Sequence, residues 1–357
     1  MIRQKHALAG FALGILLAAS AGGEAGAVAP RRVTCSAATD LGVSRIIEID
    51  TSAGVAFGNQ YESASSLLKD REVALTFDDG PSPATTTSIL DTLDRFCTKA
   101  VFFSVGRMAL AYPDTLRDVA RRGHTIGGHT WSHPFLHRLS QDKAELEVEK
   151  GLSTVAAMVG KPIAPFFRFP YLDDPKAMVA YVKGRGIGIF GIDVDSRDTR
   201  GYGPARITSY TLDSLKKLGH GIVLFHDIKS NTAKALPDVL AGLKREGFRI
   251  VLLVPKKPLE TKPAIDQALA LYLEQRKAKR AAVADKKAGS AGGGATVEKA
   301  AYTVDNVFAG GSSDKPSRAK KGGRKAVSPT SHRKKSERRS RRKSASASGQ
   351  TSSRKRR

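Results

Sequence analysis

The sequence predicts an α/β fold built on a parallel sheet, and three observations lead to that prediction. Apolar runs with strand character alternate with amphipathic helical stretches from Glu72 to Val254. No tight antiparallel hairpin turn separates consecutive runs, and glycine stands where most of the helices would end. Seven such repeats close most simply as a barrel. A doubly wound open sheet is the alternative, because periodicity does not determine closure.

Each predicted strand is an apolar run that stops at a polar residue or at a turn residue. The seven strands are Val73–Phe77, Lys99–Val105, His124–His129, Phe166–Pro170, Gly188–Val194, Ile222–His226 and Phe248–Val254. Arg45–Thr51 is a candidate for an extra strand before them. The helices between the strands are Thr85–Phe96, Pro113–Arg122, Asp142–Val159, Pro175–Arg185, Pro204–Leu218 and Thr232–Arg245.

Residues 1–27 have the form of a secretory signal peptide. Arg3 and Lys5 precede an apolar segment over 7–19, and Ala25-Gly26-Ala27 fits a cleavage site. The segment is short for a membrane span, although an uncleaved N-terminal anchor is the alternative. We therefore predict export to the periplasm, the cell envelope or the extracellular space, with residues 28–70 as a lead-in segment.

The chain has two cysteines, Cys35 and Cys97. In an exported protein the natural interpretation is one disulfide between them. Two free buried thiols are the alternative, because the sequence does not show that the two residues approach each other.

The composition changes after Pro255, where the predicted α/β domain of residues 71–255 ends. Apolar residues at helical spacing predict an amphipathic helix over about Ala264–Lys279, within a segment of residues 256–280. We expect this helix to dock on the barrel, with binding of a partner as the alternative. Residues 281–357 have too few apolar clusters to offset the entropy of ordering, so we predict a disordered tail.

Most of the formal net charge of +25 belongs to this tail. Residues 276–357 hold 25 Lys and Arg against 5 Asp and Glu, whereas the rest of the chain holds 34 against 29. In the cytoplasm such a polycation would favour nucleic acid. An exported protein meets anionic envelope polymers and lipid head groups instead, which disfavours nucleic acid as a partner. A solvated tail without a dedicated partner is the alternative.

Chemically active side chains follow the ends of the predicted strands. They are Asp78 and Asp79 after the first strand, His129 and His133 after the third, Arg168 and Tyr171 after the fourth, Asp195 and Asp198 after the fifth, and His226 after the sixth. Adjacent carboxylates repel each other and need a metal ion or another cation nearby. Because parallel strands end at one edge of a sheet, we expect these groups to converge.

Two histidines and a carboxylate form a suitable ligand set for a divalent metal with open positions. Zinc suits the set best, and cobalt or another divalent ion is also acceptable. The spacing of His129 and His133 is similar to that of the zincin motif. In that motif a general-base Glu follows the first His, whereas Thr130 stands here, so a metalloprotease of that kind is disfavoured.

The motifs and their order resemble the NodB-type polysaccharide deacetylases, carbohydrate esterase family 4. The resemblance covers about Glu72–Val254 and includes all five motifs of that family in order. It implies a distorted barrel of seven βα units. It also implies a metal-dependent hydrolase that removes N-acetyl groups from N-acetylglucosamine units of a polysaccharide such as peptidoglycan or a chitooligosaccharide.

The resemblance assigns the metal to Asp79, His129 and His133. Asp78 would be the general base that takes a proton from metal-bound water. The backbone N–H of Tyr171 would help to hold the oxyanion.

The remaining implied roles concern the general acid and the residues that orient the acid and the base. His226 would be the general acid that protonates the departing amine. Arg168 would orient Asp78, and Asp195 would pair with His226 and favour its protonated form.

Two nearby residues are given no catalytic role. Asp198 is interpreted as a solvated loop residue, and Trp131 as part of a wall or of the core.

Two positions differ from the family pattern, Thr199 where an aromatic residue is usual and Leu172 where glycine is usual. Both concern the walls of the substrate groove, so the identity of the substrate stays open. An O-deacetylase of an acetylated hemicellulose or exopolysaccharide is the alternative enzyme. A polyanion-binding surface protein that acts through its basic tail is the alternative outside enzymes.

Overall fold

The computed structural model describes residues 39–61 and 67–288, with side chains up to residue 282. The predicted signal peptide, Cys35 and residues 289–357 of the predicted disordered tail therefore lie outside the described residues. The first part of that predicted tail, residues 281–288, is not disordered but belongs to the last helix. Cys97 is disulfide-bonded, in agreement with the interpretation of the cysteines as a disulfide rather than free thiols.

The described part of the chain contains ten strands and eight helices. The strands are β1 (Arg45–Ile49), β2 (Ala56–Phe57), β3 (Glu72–Asp78), β4 (Val101–Ser104), β5 (Thr125–Gly128), β6 (Phe166–Phe167), β7 (Gly188–Phe190), β8 (Val194–Asp195), β9 (Gly221–His226) and β10 (Arg249–Pro255). The helices are α1 (Pro83–Arg95), α2 (Gly106–Ala111), α3 (Pro113–Arg121), α4 (Gln141–Val159), α5 (Lys176–Gly184), α6 (Pro204–Leu218), α7 (Ser230–Arg245) and α8 (Pro263–Ala288).

The strand pairs of the described residues are all parallel, as predicted. Around the barrel they follow the order β8-β9-β3-β4-β5-β6-β7, and no ladder joins β7 to β8 in the described part. The ring is incomplete at that seam, where β2 pairs with β7 instead. Outside the ring, β10 pairs with the start of β3 and also with β1.

The central strand is β3, which has neighbours on both sides and is buried along its whole length. Its Phe77 ring stacks between those of Phe102 on β4 and Phe225 on β9, with centroid distances of 5.1 and 5.5 Å. A strand that is buried on both faces needs a nearly continuous apolar sequence, which β3 has until it reaches Asp78. Asp78 is therefore a carboxylate at the buried carboxyl end of an otherwise mainly apolar strand.

The six helices predicted between the strands are confirmed to within two residues at each end. Gly160 and Gly219 cap α4 and α6 in the left-handed conformation, with φ of 79° and 84°, as the glycine pattern predicts. The candidate extra strand before the domain is confirmed as β1. The short elements α2 and β2 were not predicted, because six and two residues carry too little periodicity.

The prediction of one strand over the segment between α5 and α6 is wrong. The segment Gly188–Val194 is not a single strand but contains β7 and the start of β8, which pair with different neighbours. The break between them falls at the seam of the barrel. This break also determines which side chain of the loop after β8 contacts the end of β9.

The C-terminal helix α8 is longer than predicted and lies against α4, as expected for a docked helix. Among the described residues, none of the helices combines the length and the apolar character needed to cross a bilayer.

Candidate active site

The predicted site residues meet at the carboxyl edge of the barrel. Asp78 is the last residue of β3 and stands opposite His226, the last residue of β9, in the parallel register. His129 follows β5 directly, and Arg168 follows β6 directly. These four residues therefore stand at the same edge of the sheet, as expected for the ends of parallel strands.

Three of these side chains form a candidate metal centre. One ligand atom from each of Asp79, His129 and His133 lies within 4.8 Å of the others. The Nε2 atoms of His129 and His133 lie 3.6 and 3.2 Å from Asp79 Oδ1. Tetrahedral zinc with ligand distances of about 2.0–2.1 Å would separate its ligands by about 3.3 Å, which matches this spacing.

The surroundings of the three residues also fit a divalent metal. His129 Nδ1 lies 2.7 Å from the carbonyl oxygen of Arg168, so the ring donates there and its Nε2 lone pair stays free. Burial and the nearby charge of His133 lower the pKa of His129 to about 3, which keeps the ring neutral. Asp79 Oδ1 is buried and has no hydrogen-bond partner in the described part of the chain. A buried carboxylate oxygen without a partner is costly unless a cation occupies the position.

The second carboxylate of the pair is in a different environment. Arg168, which is fully buried, donates from Nη1 to Asp78 Oδ1 at 2.8 Å and to Thr76 Oγ1 at 2.7 Å. The same guanidinium donates to the carbonyls of Phe190 and Gly191, both at 2.9 Å. Burial raises the pKa of Asp78 above its ordinary range, although the charge of Arg168 opposes the rise. Asp78 Oδ2 faces the metal centre, 3.9 Å from His129 Nε2.

The predicted partner of His226 is wrong. Its Nδ1 lies 2.8 Å from Oδ1 of Asp198, not of Asp195, and its backbone N–H donates to Asp198 Oδ2 at 2.7 Å. Thr232 Oγ1 donates to the same Oδ2 at 2.6 Å. Burial lowers the pKa of His226, but the hydrogen bond and charge of Asp198, together with the charges of Asp78 and Asp79, outweigh it and raise the pKa to about 9.

The strand register explains the correction. Asp195 lies within β8 opposite Leu224, two residues before His226 on β9, and its carboxylate accepts the backbone N–H of Arg197 at 2.8 Å. Arg197 then turns the chain in a left-handed conformation, with φ of 60°. This turn brings Asp198 back over the end of β9, where it is buried rather than solvated. The interpretation of Asp198 as a solvated loop residue is therefore also wrong.

A buried carboxylate that the sequence did not reveal lies beneath the site. Asp227 accepts a hydrogen bond from Thr86 Oγ1 at 2.7 Å, and its own N–H donates to the carbonyl of Asp78 at 3.2 Å. A Cβ at Gly80 would lie 2.0 Å from Asp227 Oδ2, so any larger residue there would displace this carboxylate. Asp227 thus joins the turn that carries the Asp pair to the strand that carries His226. The only sequence signal is its position next to His226.

Tyr171 lies on the exposed rim of the site in a left-handed conformation, with φ of 60°. Its ring stacks on Phe135 at 3.8 Å and approaches the ring of His133 edge-on at 4.5 Å. Leu172 follows with φ of 56°, the region that favours glycine, which accounts for the usual glycine at this place in the family pattern. Trp131 is buried, which confirms its interpretation as wall or core.

Comparison with known proteins agrees with this geometry. The family model for polysaccharide deacetylases matches residues 67–189. A peptidoglycan-N-acetylglucosamine deacetylase of Bacillus cereus is 32% identical over 187 residues, which are 51% of this chain and 86% of that protein. The chain belongs to the polysaccharide deacetylase family. The predicted family and the predicted class of enzyme, a deacetylase that acts as a hydrolase, are thereby confirmed.

Other members of the polysaccharide deacetylase family are named for different substrates. A chitooligosaccharide deacetylase of Bradyrhizobium is 29% identical and aligns with 50% of this chain and 88% of its own length. The peptidoglycan-N-acetylmuramic acid deacetylase PdaC of Bacillus subtilis is 32% identical, and the match spans 37% of its length.

Solved structures of family members confirm the fold. A peptidoglycan deacetylase of Bdellovibrio bacteriovorus superimposes with a TM-score of 0.55 at 31% identity, covering 62% of this chain and 61% of that one. A further peptidoglycan N-acetylglucosamine deacetylase, Bc1960, gives a TM-score of 0.50 at 28% identity and covers 59% of this chain and 94% of that one.

Proposed function

We propose that this polysaccharide deacetylase removes N-acetyl groups from N-acetylglucosamine units of a cell-wall or chitin-like polymer. One observation carries the proposal. Three metal-type ligands converge at the barrel edge, beside a carboxylate and an imidazole that each have a buried partner of opposite charge. That arrangement supplies the groups that hydrolysis of an amide requires.

Asp79, His129 and His133 would hold a divalent cation, for which zinc is the best match to the ligand types and cobalt or another divalent ion is acceptable. Such an ion supplies Lewis-acid chemistry, because it polarises a carbonyl and makes a bound water more acidic.

Asp78 would act as the general base through Oδ2. Its other oxygen accepts the hydrogen bond from Arg168, which fixes the orientation of the carboxylate and leaves Oδ2 towards the metal centre. Burial raises the pKa of Asp78, which makes it a stronger base than an exposed aspartate.

His226 would act as the general acid through Nε2, because Nδ1 is engaged by Asp198. The pKa of about 9 keeps the imidazole protonated near neutral pH, as a proton donor for the departing amine must be. Asp198 therefore takes the role that the resemblance gave to Asp195. Tyr171, next to His133 on the rim, would supply its backbone N–H to the developing oxyanion.

The substrate and the location of the enzyme are proposed from the relatives and the sequence. Deacetylases named for peptidoglycan and for chitooligosaccharides are both among the relatives. A signal peptide over residues 1–27 would export the chain, and the basic tail would bind anionic envelope polymers or lipid head groups.

The test is acetate release by the full-length chain from peptidoglycan, chitooligosaccharides and acetylated xylan, with and without a chelator. We expect release from at least one of the two N-acetylated substrates, its loss with the chelator and its return on addition of Zn²⁺. Release that is confined to the xylan would replace the proposal with an O-deacetylase. Release that is unaffected by the chelator would contradict the metal site.

The leaving group offers a second test of the same proposal. The amine of an amide must be protonated before it departs. The alcohol of an ester departs more readily, because it can leave as an alkoxide. His226→Ala should therefore lower hydrolysis of an amide substrate by about 10²–10⁴-fold and affect an ester substrate less. Equal losses on both substrates would argue against an acid role for His226.

The role of the tail has its own test. Deletion of residues 281–357 should release envelope-bound enzyme and leave turnover of a soluble chitooligosaccharide unchanged. Undiminished retention on the envelope would contradict tethering by the tail.

A further inference from the structure

Trp131 lies in the middle of the loop that carries His129 and His133, and its side chain is 3% exposed. Its backbone N–H donates to the carbonyl of Glu147 on α4 at 2.8 Å, and its carbonyl accepts from the N–H of Arg107 on α2 at 3.0 Å. The loop is thus bound on two sides through the backbone of the residue between the two candidate ligands.

The loop also has an unusual backbone. Thr130 and His133 are both left-handed, with φ of 64° and 60°, a conformation that is unfavourable for residues with a side chain. A Cβ at Gly151 of α4 would lie 2.4 Å from the carbonyl carbon of Thr130, so α4 packs directly against the loop. Such backbone conformations persist only where the surrounding packing holds them.

The indole of Trp131 packs against α8, the helix that follows the last strand. Trp131 and Leu269 form a small buried cluster of their own, separate from the main core, and Leu269 is 2% exposed. The side chains packed around this pair are Leu110 of α2 and Ile265, Ala268, Tyr272 and Leu273 of α8. The apolar stripe of α8 is therefore the third support of the loop.

The position of α8 is set by polar contacts at its first turn. Asp266 accepts hydrogen bonds from Ser153 Oγ of α4 and from Thr261 Oγ1, the latter at 2.7 Å. Lys262 Nζ donates to Tyr181 Oη at 2.7 Å and lies 3.6 Å from the buried carboxylate of Glu149. These contacts place Leu269, less than one turn further along, against Trp131.

We propose that α8 is a positioning element of the catalytic site, and that Leu269, acting through Trp131, holds the loop with His129 and His133 in its ligating conformation. The inference rests on the proposed metal site. It adds that residues beyond the barrel determine the metal affinity of that site. Outer residues that orient metal ligands typically change affinity about 10–100-fold when they are removed.

The chain contains a convenient reporter and a matched control. Trp131 is the single tryptophan of the sequence, so tryptophan emission, excited selectively over the tyrosines, reports on this loop alone. Leu269 and Leu271 lie in the same helix, but Leu271 is 55% exposed. Leu→Ala at either position changes helix propensity equally, and only Leu269→Ala removes the contact with Trp131.

The experiment titrates Zn²⁺ into the metal-free full-length chain and follows Trp131 emission, with a competing chelator of known affinity. We expect the apparent Kd of Leu269→Ala to rise about tenfold or more, with its metal-free emission shifted to the red. Leu271→Ala should behave as the wild type, and Leu269→Met should restore most of the affinity because it refills the site. Leu273→Ala, at the half-buried edge of the cluster, should show a smaller rise.

Circular dichroism establishes that each variant is folded, and Leu273→Ala decides the outcome should Leu269→Ala fail to fold. Equal Kd values for the folded variants and the Leu271→Ala control would overturn the role of α8. His133→Ala separates this result from failure of the metal site itself. If the wild type and His133→Ala respond to Zn²⁺ alike, the proposed site is wrong; if only His133→Ala fails to respond, the comparison of the leucines stands by itself.

Discussion

Asp78 and Asp79 are neighbours in the chain, yet their two carboxylates lie in different environments. On the side proposed for proton transfer, Asp78 accepts a hydrogen bond from Arg168, and His226 pairs with Asp198. On the side of the candidate metal centre, Asp79 Oδ1 is buried without a hydrogen-bond partner in the described part of the chain. The backbone separates the two carboxylates, since Asp79 adopts a left-handed conformation with φ of 79° directly after the extended β3.

The difference supports the proposal that one turn supplies two functions. A group that must hold or release a proton at a fixed place needs its other atoms engaged, and both Asp78 and His226 have one atom engaged and one free. A metal ligand needs a lone pair that no protein donor occupies, which Asp79 provides at Oδ1. Arg168 serves both sides, because its guanidinium holds Asp78 while its carbonyl holds His129 Nδ1.

The largest expected effect is on the buried ion pair. Arg168→Met leaves the Asp78 carboxylate buried without its cation, which should lower the free energy of unfolding by about 3–5 kcal/mol. Urea unfolding at pH 7 measures the loss. The double variant Asp78→Asn/Arg168→Met should recover part of it, because the uncompensated charge is gone. An undiminished loss in the double variant would mean that the hydrogen bonds of Arg168 to Thr76, Phe190 and Gly191, rather than the charge, account for its role.

A smaller effect tests the corrected partner of His226. Because an acid must be protonated, activity should fall as the pH rises through the pKa of His226, near 9. Asp198→Asn removes the opposite charge and lowers that pKa, so the alkaline limb of kcat/KM against pH should move down by about 1–3 pH units. The raised pKa also affects the free energy of unfolding. Protonated His226 stabilises the folded state fully below its ordinary pKa of 6.5, and this stabilisation is lost as the pH rises through about 9.

Asp195→Asn is the matched control for this prediction. Its carboxylate accepts the N–H of Arg197, and its replacement should leave the alkaline limb in place. A shift with Asp195→Asn and none with Asp198→Asn would restore the role that the family resemblance assigned to Asp195.

The smallest effect concerns the support beneath the Asp pair. Thr86→Val removes the hydroxyl that donates to buried Asp227 and should cost about 1–3 kcal/mol of stability in thermal or urea unfolding. The neighbouring hydroxyl of Thr85 has no hydrogen-bond partner among the described residues, so Thr85→Val should be close to neutral. Equal costs for the two substitutions would show that Asp227 is not held through Thr86.

The fold could be predicted because its signals are local. The buried strands are apolar runs, the helices have an amphipathic period, and glycine ends several of them in the left-handed conformation. Asp78, Asp79, His129 and His226 could be identified for the same reason, since each stands at or directly after a strand end. The short α2 and β2 lack a period of sufficient length.

The partners of the site residues could not be predicted, because they depend on register and turn geometry. Asp195 and Asp198 stand in one short segment, and the break between β7 and β8 with the left-handed turn at Arg197 decides which of them reaches His226. Asp227 carries no pattern of its own, and its place under Gly80 arises only from the close packing of β3, β9 and α1. Contacts of this kind join residues far apart in the chain.

The central claim, that Asp79 binds the metal and Asp78 takes the proton, is tested most directly by two neighbouring isosteric substitutions. Zn²⁺ affinity and acetate release from an N-acetylated oligosaccharide are measured for Asp78→Asn and Asp79→Asn side by side. We predict that Asp78→Asn keeps its Zn²⁺ affinity and loses about 10²–10⁴-fold in turnover at saturating Zn²⁺, whereas Asp79→Asn loses Zn²⁺ affinity. Loss of Zn²⁺ affinity in Asp78→Asn together with its retention in Asp79→Asn would contradict the account.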